Sequence, residues 1–197
     1  DPTGWQPLVT TLFDWQPFPV HRRVPDGESL SVHHFGFFLV CHVTGVTGRF
    51  RRTPIRLNLD DLDHLVVTIP LQGSIAFCAP HPQRLRPGDV AVADLRAELV
   101  FSMGPGEAIH LILPRMFLPA SVAPPGVADL RLLRGERLAA RFLVDLAQML
   151  IRMPTYADRA EASGLAAVLR TPLAFCLSAA EGPETARETL RRGRDIR

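Results

Sequence analysis

What most constrains this chain is a series of short β-branched and aromatic segments, each cut off by a glycine or proline turn before it reaches helical length. "SVHHFGFFLVCHV" (Ser31–Val43) reads as one largely buried strand. After a turn at Gly45 and Gly48, "RFRRTPIRLNL" (Arg49–Leu59) reads as its partner strand. Further strands are expected at "HLVVTIPLQG" from His64, "SIAFCA" from Ser74, "DVAVADL" from Asp89, "ELVFSM" from Glu98 and "AIHLILP" from Ala108. Gly73, "APHPQ", "RPGD" and "GPGE" punctuate them. No long helix interrupts the series, so the pattern predicts an antiparallel sandwich or barrel rather than a parallel βαβ sheet.

Near Gly135 the composition shifts to Ala, Leu, Arg and Glu, and the period changes. Leu138, Phe142, Leu146 and Leu150 recur every fourth residue, and Leu143, Ala147 and Met149 widen the stripe. This predicts an amphipathic helix ending before Pro154. The stripe can pack on the barrel or on a second subunit, and the pattern does not choose. A second helical pattern from Leu165 to Leu177 contains Pro172, which is expected to kink or split it. Gly182 and Pro183 open a third, with a polar tail, "RETLRRGRDIR".

Composition removes several classes of function. With 197 residues, 47% of them hydrophobic, the chain is long enough for a real core. All 22 basic residues are arginine, so no lysine Schiff base or phosphate-loop lysine is available. A net charge of +2 does not by itself make a nucleic-acid surface. Cys41, Cys78 and Cys176 are scattered and never form a CxxC pair, against a disulfide framework or a cysteine zinc site. No apolar run of about 18 residues marks a membrane span, and the first residues lack a secretory signal, so a cytoplasmic location is expected. The sequence begins on Asp1 rather than Met, so a trimmed upstream piece is expected.

The stretch "LRPGDVAVADL" (Leu85–Leu95) carries the main chemical question. Pro87 and Gly88 suit the two central positions of a type II turn, and Asp89 can accept from nearby backbone amides. "PGD" before an alternating strand resembles the second motif of the cupin barrels. Cupin enzymes place a metal-binding histidine on the strand that follows; here Leu99 holds that place. The first cupin motif needs two histidines on one strand face, whereas His33 and His34 are adjacent and point to opposite faces. A metal site needs three or four convergent ligands, so neither a metal nor a cofactor is expected. His64 and His81 sit beside turns, and His110 reads as a core histidine with a satisfied hydrogen bond. No serine elbow, activated cysteine or phosphate loop appears, and no catalytic residue is expected.

Several separated pieces then add up. "RTP" (Arg52–Pro54) is followed by "LVVTIPLQGS", by "GD" with Asp94 and Arg96 after it, and by "LILPR" ending on Arg115. In this order, ahead of an amphipathic helix, they resemble the N-terminal regulatory domain of AraC/XylS-family transcription regulators. The resemblance implies an α+β fold: a cupin-like antiparallel β-barrel followed by a C-terminal bundle of two to three helices. Residues 1–20 would form an N-terminal arm, 21–115 the barrel, 116–134 a connecting loop and 135–197 the helical region. It also implies a small-molecule effector in the barrel, a homodimer built on the helices, and DNA contacts made only by a C-terminal helix-turn-helix domain beyond Arg197.

The resulting expectation is a non-enzymatic effector-sensing and dimerisation domain of a bacterial transcription regulator, with no membrane partner. His42 shares a strand face with Phe38 and Val40, and is expected to orient a ligand if that face lines the interior. Trp15, on the arm, either closes over the pocket or merely caps the core. Arg22 or Arg56 would meet a carboxylate, since an apolar interior suits a lipid or an aromatic or fatty acid more than a sugar. Leu138, Phe142, Leu146 and Leu150 are the expected dimerisation residues. The alternatives are a metal-dependent cupin isomerase or oxygenase using His33, His42 and His110, and a ligand-free structural module. A pocket of roughly 300 Å³ or more counts against the last.

Overall fold

The computed structural model describes residues 6–18, 27–79, 82–122, 130–153 and 159–180. The N-terminal arm forms a short helix, α1 (Gln6–Leu12), and a short strand, β1 (Asp14–Gln16). The run from Ser31 is not one strand. Gly36 adopts φ +64°, a conformation that disfavours a β-carbon, and folds the run into a hairpin of β2 (Ser29–Phe35) and β3 (Phe38–Thr44). The expected partner strand is also shorter. β4 (Gly48–Arg52) gives way to α2 (Pro54–Leu59), because the Thr53 hydroxyl caps the Arg56 amide at 3.4 Å and Pro54 fits the first helical turn.

The remaining expected strands form: β5 (His64–Gln72), β6 (Ile75–Ala79), β8 (Val90–Asp94), β9 (Leu99–Met103) and β10 (Glu107–Pro114). Besides β1, two strands were not anticipated, β7 (Gln83–Leu85) and β11 (Arg131–Leu133), the second within the stretch expected to be a loop. All pairings are antiparallel, in a five-stranded sheet ordered β1-β4-β9-β6-β7 and a six-stranded sheet ordered β11-β8-β5-β10-β3-β2. Among the described residues no pairing joins the two sheets. The architecture is α+β and cupin-like, as expected, with the two sheets stacked as an open sandwich.

The six-stranded sheet is covered on both faces. Cys41, Val43, Val66, Ala91, Ala93 and Ile112 face the other sheet, while Phe38, Val40, Val67, Val92, Ile109 and Leu111 face a helical layer. That double burial explains why β5 and β8 read as almost unbroken apolar runs. The helical layer is α3 (Leu138–Ile151), lying over β3 and β10, and α4 (Arg159–Ser178), lying over β2 and α3. α4 runs unbroken through Pro172, so of the expected kink or split the split does not occur. The carbonyl that Pro172 leaves without an amide belongs to Val168, on the exposed side of the helix where water can reach it. By length and composition Ala160–Ser178 is apolar enough to cross a membrane, with mean hydropathy 1.2. Its apolar face, including Ala166, Leu169, Leu173 and Cys176, is packed into the protein core. The third helical pattern, from Gly182, lies outside the described residues.

The residues behind the family resemblance hold this architecture together. At the Pro87–Gly88 turn, Gly88 takes φ +87° and the Asp89 amide donates to the Arg86 carbonyl at 2.9 Å, as a type II turn requires. The Asp89 carboxylate accepts from the Arg86 amide (3.0 Å), the Gly135 amide (2.9 Å) and the Arg134 guanidinium (3.2 Å). It thereby ties the turn before β8 to the turn before α3. Arg115, buried at the end of β10, donates to Asp63 at 2.7 Å and to buried Asp94 at the end of β8. Burial alone would lower the Arg115 guanidinium, but the hydrogen bonds to Asp63 and Asp94 outweigh it and hold its pKa above the usual value. Breaking this pair strands a buried charge. Asp94→Ala is expected to lower unfolding free energy by about 3–5 kcal/mol in urea denaturation, and the double variant Asp94→Ala/Arg115→Met to recover much of it. A single-variant loss under about 1 kcal/mol would show that the pair is dispensable.

Candidate ligand-binding site

Between the two sheets lies a cavity of about 60 Å³, closed on one side by the N-terminal arm. Val9 and Leu12 reach it from α1, and Phe13 follows. Val43, Val66 and Ile112 form the six-stranded wall, and Phe50, Phe101 and Met103 the opposite one. Phe50 stacks on Phe101 with ring centroids 4.9 Å apart, and Phe13 meets Phe101 edge-on at 5.3 Å. Among the described residues the lining is apolar apart from Cys41 and His110. These two are cross-strand partners on β3 and β10, and Thr68 of β5 is the partner of His110 on its other side.

The His110 ring sits partly buried between the sheets and borders the cavity. Its Nδ1 shares a hydrogen bond with Thr68 Oγ1 at 3.1 Å, and among the described residues its Nε2 has no partner. Burial pushes its pKa down to about 4, so the ring is neutral near pH 7 and offers one donor and one acceptor nitrogen. Burial pushes the Cys41 thiol up to about 12, so it stays protonated and is no nucleophile.

The sequence expectations land in different places. Phe38 and His42 do share a face, but it is the outer one. Phe38 sits in the core beneath the helices, and His42 Nε2 lies 2.7 Å from Glu107 Oε1, away from the cavity. Trp15 packs against the inter-sheet core and donates from its indole nitrogen to the Thr47 carbonyl at 3.2 Å. It caps the core without lining the cavity. Arg56 reaches Asp14 at 2.7 Å and pulls that carboxyl below its usual range, tying α2 to the arm. Arg22 lies outside the described residues. His33 is on the outer face with Val40, its cross-strand partner, so His33 and His42 do not converge with His110. Among the described residues no group of three or more His, Cys, Asp or Glu is placed to hold a metal ion. The helical stripe divides: Leu138 and Phe142 are 81% and 49% exposed, while Leu146 and Leu150 are 8% and 0% exposed. Each four-residue step turns about 40° past a full helical turn, so these four positions sweep across more than one face.

The arm's contribution was not legible, because Val9, Leu12 and Phe13 form no recognisable period in so short a segment. Thr68 carried no signal of its own; only its register opposite His110 marks it. A second concavity, an open cleft of about 430 Å³, is lined by Arg52, Leu57, Asp60, Asp61, Leu62, Asp63 and Arg96. Arg52 is buried and donates to Asp60 and to the carbonyls of Leu95 and Leu12, the last at 3.0 Å. Its hydrogen bonds hold the Asp60 carboxyl below its usual range. With Arg96 also engaged, by Asp63 at 3.3 Å, the cleft offers paired charges rather than an open cation.

No family model matches the sequence, and no curated protein matches it. Comparison with solved structures bears on the fold. The particular likeness is to the crystal structure of the AraC-like transcriptional activator CuxR, with TM-score 0.71 and 18% identity over 89% of this chain. The chain spans 65% of that neighbour's length. KdgF from Halomonas sp. overlaps at TM-score 0.34, with 21% identity over 51% of this chain and 86% of that one. The fold implied by the motif resemblance is thus the fold observed.

Burial of His110 sets a pH dependence. Between about pH 6.5 and pH 4 the unfolded chain binds a proton that the folded chain refuses. The stability contributed by neutral His110 is therefore complete above about pH 6.5 and falls by about 3 kcal/mol as the pH drops toward 4. Urea denaturation at pH 7 and pH 4.5 is expected to show a steeper loss for the wild type than for His110→Phe. His64, also pushed down by burial, contributes equally to both proteins. Equal slopes would place the His110 ring in contact with bulk water.

Proposed function

We propose that this chain is the effector-sensing and dimerisation domain of a bacterial, cytoplasmic transcription regulator, and not an enzyme. The observation that carries this reading is the apolar cavity between the sheets, closed by the N-terminal arm, in a fold shared with an AraC-like activator. DNA contacts would be made by a helix-turn-helix domain beyond Arg197.

The connectivity supplies a route from ligand to helices. Cys41 and Val43 of β3 and Ile112 of β10 face the cavity, and the opposite faces of the same two strands carry α3. The arm is tied down by Arg52 to the Leu12 carbonyl, by Arg56 to Asp14, and by Thr53 to Asp14 at 3.1 Å. At about 60 Å³ the cavity holds a few waters' worth of space, well below a usual ligand pocket. An effector would therefore take room now filled by Val9, Leu12 and Phe13, and prefer the arrangement in which α1 has withdrawn. Its influence equals its difference in affinity for the two arrangements, no more.

The homodimer would use the face of α3 that the monomer leaves open, Leu138 and Phe142 with Met149, rather than the buried Leu146 and Leu150. Leu138→Glu/Phe142→Glu is expected to convert a dimer to a monomer of unchanged stability, read by sedimentation. Leu146→Ala is expected to cost about 2–5 kcal/mol of folding stability instead. A dimer that survives the double charge substitution places the interface elsewhere.

One observation favours a second reading. The small cavity fits a structural dimerisation module with a side-chain-filled interior. Native mass spectrometry of the chain purified from cells separates the two readings. A dimer retaining a small organic mass supports sensing, and one metal ion per chain would return the question to the enzyme class. A bare dimer that takes up no small molecule supports the structural module.

A further inference from the structure

We infer that the effector is a small, uncharged and largely apolar molecule carrying one hydrogen-bonding group, and that His110 Nε2 is the atom that reads that group. The inference rests on the effector-sensing reading above and adds the chemistry of the ligand.

The argument is a census of the cavity wall. A carboxylate taken from water into an apolar site needs a cation or several donors, because an isolated buried charge is very costly. Among the described residues, no arginine lines this cavity. Arg52, Arg56 and Arg115 are all spent on Asp60, Asp14, Asp63 and Asp94 outside it. The aromatic- or fatty-acid class suggested by the composition of the interior therefore has no counterion here. A sugar fares no better, since each of its hydroxyls would need a polar partner, and among the described residues the lining offers only the His110 imidazole and the Cys41 thiol, a weak donor.

His110 is equipped to recognise one polar atom. Thr68 occupies Nδ1 at 3.1 Å, fixing the ring and leaving Nε2 unpartnered among the described residues, on a side chain that borders the cavity. Because the ring is neutral, Nε2 donates to a carbonyl or hydroxyl oxygen when the Thr68 hydroxyl donates to Nδ1, and accepts from a hydroxyl in the other tautomer. Either way it pairs with one neutral group. The rest of the wall, Phe50, Phe101, Met103 and Ile112 among it, suits a ring or short hydrocarbon. A dry cavity of about 150 Å³ accommodates benzene, so a single ring needs more than the present space. Leu12 and Phe13 are the side chains whose withdrawal would supply it.

The test uses four probes on the intact chain: phenol, toluene, benzoate and arabinose. Binding is followed by calorimetry, and contact with His110 by its ¹⁵N imidazole resonances. Phenol and toluene are expected to bind, phenol about fivefold more tightly, the worth of one ordinary hydrogen bond. Phenol alone should shift the His110 Nε2 resonance. In His110→Phe the two affinities are expected to become equal. If that variant fails to fold, the wild-type ranking and the Nε2 shift carry the test without it. Benzoate or arabinose perturbing His110 while phenol does not would overturn the inference and leave the sensing reading standing. Failure of all four at millimolar concentration would overturn both and leave the structural module. Equal binding of phenol and toluene, with no Nε2 shift, would remove His110 from recognition.

Discussion

A single guanidinium aligns the middle of the six-stranded sheet. Arg115 follows β10, Asp94 ends β8 and Asp63 immediately precedes β5, and these are the three adjacent strands β8-β5-β10. One planar fork therefore fixes three strand ends in register, which a lysine's single ammonium would not do. The Arg115 amide donates to the Asp63 carbonyl at 2.8 Å, so backbone and side chain enforce the same alignment. Arg52, at the end of β4 in the other sheet, donates to the Leu95 carbonyl just past β8 and so spans the sandwich. A buried ion pair gives little net stability relative to an apolar replacement, yet is costly to break. Such a pair is better suited to excluding wrong registers than to strengthening the right one.

This accounts for what the motif resemblance was reporting. "RTP", the "GD" turn with its following aspartate, and "PR" are not the site. Arg52, Asp89, Asp94 and Arg115 are buried polar groups that must be satisfied in one geometry. Their order and spacing disclose the fold and say nothing about what the cavity holds. The long strands were legible because β5 and β8 are buried on both faces and read as apolar runs. The same property hid the site. When both faces of a sheet are apolar, alternation correctly groups Phe38, Val40 and His42, but cannot say which side is the interior. The short elements β1, β7 and β11 carry too few residues for any period to emerge. On α3, spacing by four marked a helix but blended its buried and exposed sides.

The arm occupies an unusual energetic position. α1 is far shorter than the roughly 12–15 residues an isolated helix needs to be even marginally stable. It holds its place through Phe13 in the aromatic cluster and through Arg52, Arg56 and Thr53 gripping Leu12 and Asp14. Most of those polar contacts are partly exposed and individually weak. The cavity's closing wall is thus its least secure one, whereas the sheet walls are fixed by ladders and by Arg115. If any part of the cavity gives way to a ligand, the distribution of stability puts the movement at α1.

His110 shows the same logic at the scale of one side chain. A leucine at its place on β10 would cost nothing in desolvation and would match Leu111 and Ile112 beside it. The imidazole is instead buried neutral, and Thr68 satisfies only one of its nitrogens. The other nitrogen, Nε2, is not among the fully buried atoms left without a partner, so the space beside it admits one. A molecule that supplies a partner there adds one ordinary hydrogen bond, about 1 kcal/mol, while one without a polar group gains only contact area. Selectivity for a single neutral polar group then follows from the unpaired nitrogen alone, without a charged residue in the wall.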